Sequence, residues 1–222
     1  MAGLIISTVQ CRNRQYKITF LSTRLFEDFP SASAIEYSDG KLFVIGDDAA
    51  HLMVLDTNYR VVQKIAYLPD SSFRAPKETK PDTESAALLT HGDQTFLYAF
   101  GSLSTSTREL LFQFPVDSLQ GFTRSRFQPR SSSVVKEWNI EGAAMVMDQL
   151  LLANRANGTN KQNYLVLQTF EVAGVERNKE AKVAELVLQG GSSVIGVSGL
   201  YYEAERDVLL FTASEENTQN AV

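Results

Sequence analysis

The sequence predicts an all-β chain folded as a β-propeller with four recognisable four-stranded blades. Three observations carry that expectation. Two small residues open a short apolar run four times, a second strand-like run follows each opening after a polar turn, and the openings recur at a near-constant period. Anchored on Ser33, Ser85, Gly142 and Ser198, the spacings are 52, 57 and 56 residues. A unit of that length with four short strands is the mark of a propeller blade.

The openings are Ser33-Ala34-Ile35-Glu36-Tyr37, Ser85-Ala86-Ala87-Leu88-Leu89, Gly142-Ala143-Ala144-Met145-Val146 and Ser198-Gly199-Leu200-Tyr201-Tyr202. Innermost strands converge on a crowded axis, where Ser, Ala and Gly permit a close approach of backbones that Leu or Phe would block. The second runs begin at Lys41, Thr95, Gln149 and Asp207, after turns such as Ser38-Asp39-Gly40 and His91-Gly92-Asp93. Short polar connectors of this kind are hairpin loops. Third runs follow at His51–Leu55, Glu109–Phe114 and Tyr164–Phe170. Residues Arg60–Leu68 and Ala181–Leu188 alternate polar and apolar, as half-exposed outer strands do. In the second unit the fourth strand falls near Phe122–Val135, where the pattern is weaker.

The 24 residues after Ser198 and the 32 before Ser33 together make one more unit. Leu4–Val9 and Gln15–Leu21 are therefore expected to complete the last blade and hide two sheet edges. The alternative is a truncated piece of a larger ring. Either way residues 1–222 read as a single propeller domain. Asp70–Asp82 and Ser118–Ser133 read as irregular excursions between strands.

Composition restricts function further. Hydrophobic residues make up 44% and charged residues 21%, so the chain must bury a core. A net charge of −5 argues against a general grip on nucleic acid or anionic lipid and favours a small molecule or a protein as partner. The N-terminus carries no export signal, so a cytoplasmic location is expected, with no membrane partner; the oligomeric state is left open. The lone Cys11 has no disulfide partner within the chain and no nucleophile motif around it. Phe122–Arg130 mixes aromatics with three arginines and reads as a solvated loop anchored by its two phenylalanines.

Polar residues recur after each second strand: Asp47 and Asp48, Ser102, Asn154 and Arg155, then Ser214, Glu215 and Glu216. In a propeller these loops gather at one mouth of the axial funnel, so distant segments converge on one ligand. Carboxylates clustered there suit a hard cation such as calcium, with Asp47, Asp48, Glu215 and Glu216 as its ligands. Glu84 and Glu141 stand immediately before the second and third openings, with Ala32 and Val197 taken as their counterparts, and form a candidate axial carboxylate pair. His51 opens a third strand close to Asp47 and Asp48, but no zinc spacing surrounds it.

The stretches Ser31-Ala32-Ser33-Ala34-Ile35, Leu42–Asp48 and Phe211–Asn217 resemble a poorly characterised bacterial propeller family related to phytase-like and esterase-like propellers. The resemblance supports the fold and implies, as an alternative to a ligand- or protein-binding module, a calcium-assisted phosphoester or ester hydrolase. Whether the chain is an enzyme stays open on the sequence.

Overall fold

The computed structural model describes residues 19, 22–68, 74–130, 133–156, 161–170, 181–188 and 194–215. The described residues form four antiparallel sheets in sequence order, each a simple meander. The first holds β1 (Ala32–Ser38), β2 (Lys41–Gly46), β3 (His51–Asp56) and β4 (Val61–Ala66). The second holds β5 (Thr83–His91), β6 (Gln94–Gly101), β7 (Leu110–Pro115) and β8 (Thr123–Arg126), with one 3-10 turn at Ser106–Arg108. The third holds β9 (Ile140–Val146), β10 (Gln149–Asn154), β11 (Asn163–Thr169) and β12 (Lys182–Leu186). The fourth is a hairpin of β13 (Ile195–Glu203) and β14 (Val208–Glu215).

This is a β-propeller with one small-residue strand innermost in each sheet. The turns form as their residues demand: Asp39 and Gly40 both take positive φ (47° and 72°), the backbone of a two-residue hairpin that matches strand twist. One expectation falls outside the described residues and one is sharpened. The last blade shows two strands among the described residues, not four, because the segments expected to complete it lie outside them apart from Thr19. The fourth strand expected near Phe122–Val135, inside the stretch read as an excursion over Ser118–Ser133, is β8, whose four exposed residues pair with β7. An edge strand fully open to water has no buried face, hence no alternation to read.

Facing sheets bury the core between them. Phe43, Ile45, Leu52 and Val54 of the first blade meet Leu97, Ala99, Phe112 and Phe114 of the second. Tyr67 sits among these, 4.8 Å from the Phe112 ring. The second and third blades enclose Tyr98, Phe100, Ile140, Leu150, Leu152 and Val166. Both phenylalanines of the arginine-rich segment are anchors: Phe127 packs 5.0 Å from Phe100, and Phe122 lies 5.8 Å from Phe114. Two of its arginines are exposed, Arg126 paired with Glu109 and Arg124 over the Phe112 ring. Among the described residues no helix is long and apolar enough to cross a membrane.

Candidate functional site

The four inner strands share one irregularity. Each is bulged near its start: the register skips Ser33 between Ala32 and Ala34, Glu84 between Thr83 and Ser85, Glu141 between Ile140 and Gly142, and Ser198 between Val197 and Gly199. A bulge leaves one residue unpaired and re-aims its side chain. The structural counterparts of Glu84 and Glu141 are therefore Ser33 and Ser198, one residue later than the Ala32 and Val197 taken from sequence. The small-residue pattern masked this shift because serine fits either frame.

All four bulged residues line one cavity of about 270 Å³ on the propeller axis. Its wall comes from every opening motif, including Ala34, Ala86, Ala143 and Gly199. Small side chains are required there: a Cβ on Gly142 would meet the Leu200 Cβ at 2.7 Å. Three carboxyl groups line this cavity, Glu36, Glu84 and Glu141, together with Ser85, Tyr201 and Phe211. Ser85 is 1% exposed, and its hydroxyl, closed off from solvent, has no hydrogen-bond partner among the described residues. A buried hydroxyl left unpaired costs free energy unless something else satisfies it.

The loops after the second strands do gather at the bulged end, as expected. The backbone repeats one hydrogen bond there, Asp47 N to Ser31 O, Ser102 N to Asp82 O and Arg155 N to Asn139 O. Asp47, Ser102 and Arg155 are thus equivalent positions, and Arg155 reaches across to Ser214 Oγ at 3.2 Å and Glu141 Oε2 at 3.4 Å. Carboxylate oxygens of Asp47, Asp82 and Glu84 lie within 4.8 Å of one another. Lys80 bridges two of the three, its Nζ 2.6 Å from Asp47 and 2.7 Å from Asp82. Arg108 adds a contact to Asp82 at 2.9 Å, and Ser102 Oγ donates to Asp82 at 2.6 Å.

Electrostatics differ sharply within a few side chains. Burial opposes the Lys80 ammonium, but its hydrogen bonds to Asp47 and Asp82 outweigh this and raise its pKa. Glu84 has no such partner: burial, then Glu141, Asp82 and Asp47, push its carboxyl up to about 8, partly offset by the Ser33 hydroxyl. Burial alone lifts Glu36 to about 8.

The remaining candidates have other employment. Asp48 pairs with Arg74 at 2.7 Å, and its pKa is raised by burial and by Asp47. His51 packs edge-on against Phe29 at 5.3 Å and does not line the cavity; burial, then Lys64, lower its pKa. Asn154 is a buried bracket, accepting from Asn139 N at 2.7 Å and donating to Glu137 O at 3.2 Å. Glu215 ends β14 exposed, while Glu216 and Cys11 lie outside the described residues. Sequence reasoning missed Glu36, Lys80, Asp82 and Arg108. Glu36 stands three residues beyond a bulge, a position that only the shifted frame would have marked.

The chain belongs to the family of unknown function DUF6929, which matches residues 28–222. No curated protein matches it significantly. Among solved structures it is similar to U3-55K (TM-score 0.40, 12% identity, 82% of this chain and 51% of that one). It is similar also to a streptogramin B lyase (0.40, 14%, 85% and 50%) and to the β-propeller domain of Myceliophteria thermophila Cps50 (Swd1) (0.37, 14%, 82% and 49%). The chain spans about half the length of these structures. The family match itself carries no link to phytase-like or esterase-like propellers.

Proposed function

Starting from membership of a family without an assigned activity, we propose that this chain is a binding module whose axial cavity is the ligand site. The observation that carries this reading is a cavity to which all four units contribute, with Glu36, Glu84 and Glu141 on its wall. Such convergence of a few polar groups on an otherwise apolar concavity is the habit of small-molecule sites. The acidic wall favours a neutral or cationic ligand over an anion. A thermal-shift screen of small polar molecules tests it, since a ligand of the native state alone raises the melting temperature. Ala34→Leu, which adds bulk to the cavity wall, should abolish every genuine shift while its own melting curve shows that it folds. Shifts that survive it would move the site elsewhere.

A second reading, the calcium-assisted phosphoester or ester hydrolase, draws on the Asp47, Asp82 and Glu84 oxygens. Calcium takes oxygen ligands of this kind, but here it would have to displace the Lys80 ammonium. A millimolar calcium titration of wild type and Lys80→Met separates the two readings. Stabilisation of both proteins, with turnover of a generic phosphate ester, would favour the hydrolase.

A further inference from the structure

The cavity has an uneven balance of charge. Glu36 and Glu84 line it without an ion-pair partner among the described residues, whereas Glu141 has Arg155. The rest of the wall is apolar or small: Ile35, Leu200, Leu210 and Phe211, with the Tyr201 ring beside them. Next to Glu84 the chain already solves the same problem with its own side chain, because the Lys80 ammonium bridges Asp47 and Asp82. An ammonium on a flexible apolar stem is therefore chemistry that this end of the axis accepts.

From these observations we infer that the axial cavity takes a small organic cation, a primary ammonium on a short apolar body. Glu84 and Glu36 receive the charge, and Phe211 and Tyr201 cover the body. This rests on the reading of the cavity as the ligand site. The volume of about 270 Å³ suits a molecule of roughly ten heavy atoms and excludes a peptide segment. An aromatic ring near the ammonium adds cation–π attraction.

Binding is coupled to protons. The groups facing Glu84 are Asp47, Asp82 and Glu141, of which Asp47 and Asp82 are held by Lys80, Asp82 also by Arg108, and Glu141 by Arg155. Tyr201 faces Glu36. Both glutamates hold their protons at neutral pH, since each titrates at about 8, and an incoming ammonium, with its single charge, expels one of them. Affinity then rises with pH, by about tenfold per pH unit below 8 for each proton released.

The test uses three probes matched in size, phenethylammonium, 2-phenylethanol and phenylacetate, titrated calorimetrically into the full chain at pH 6.5 and 8.5. The expected result is that the ammonium binds at least fivefold tighter than the alcohol, that phenylacetate does not bind, and that the ammonium gains affinity at pH 8.5. Glu84→Gln and Glu36→Gln should each weaken the ammonium fivefold or more and leave the alcohol unchanged; their melting curves report whether they fold. Equal binding of alcohol and ammonium, both blocked by Ala34→Leu, overturns the cation but leaves the cavity as the site. Ammonium binding that persists in Ala34→Leu overturns both. No binding of any probe, or competition of calcium alone against the ammonium, overturns the organic cation.

Discussion

Two neighbouring acidic groups of this propeller treat charge in opposite ways. At the junction of the first two blades, Asp47 and Asp82 are screened by Lys80 and Arg108 and by the Ser102 hydroxyl. Glu84, with an oxygen within 4.8 Å of theirs, and Glu36 further along the cavity have no cation of their own among the described residues. The first group is a staple: its ions belong to loops that hold two sheets together, and Thr83 Oγ1 donates to Gly46 O across the same junction at 2.7 Å. The second group is open to whatever enters the cavity. Identical chemistry serves cohesion where counter-charges come from the chain, and recognition where they are left out.

Breaking the staple should have the largest effect. Lys80→Met leaves two mostly buried carboxylates facing each other, and removal of one partner from such a network costs about 3–5 kcal/mol, readable from urea unfolding at pH 7. If the loss is under about 1 kcal/mol, the bridge behaves as a surface pair and the contrast disappears.

The open group should instead govern the pH dependence. Glu84 titrates at 4.5 when unfolded and at about 8 when folded, so only the folded state holds the proton between those values. Stability is then full below about pH 4.5, falls as pH rises, and levels off above about 8. Glu36 contributes with the same sign. Melting temperatures from pH 5 to 8.5 should therefore decline in the wild type and decline less in Glu84→Gln, which gains most at the alkaline end. A Glu84→Gln profile parallel to the wild type would mean that Glu84 ionises freely.

The smallest effects belong to exposed groups. Removing Lys64 from its exposed pair with Asp28 should change stability by about 0–1 kcal/mol in the same urea assay. Phe211→Ala, on a β14 side chain 44% exposed, should stay within about 0.5 kcal/mol in the free protein yet weaken the ammonium probe.

The repeat was legible because each blade must place small residues at the hub and alternate its outer strands, constraints that recur unit by unit. Glu84 and Glu141 were found for the same reason, as they adjoin that pattern. Lys80 was not, since it sits in a proline-bounded stretch that resembles surface loop, and its burial depends on Asp47, 33 positions away in the chain. The β8 strand was legible only as a weak pattern near Phe122–Val135, because nothing on it faces a core.

Sequence alone therefore determined the four units, the composition of the hub and two of the three carboxyls on its wall. Register and charge pairing were decided by the tertiary structure. A bulge moves one residue out of step with its partner strand, and alternation patterns tolerate that shift without a trace when the residue is serine. Whether a carboxylate is neutralised or left waiting depends on which distant lysine or arginine the packed sheets deliver to it.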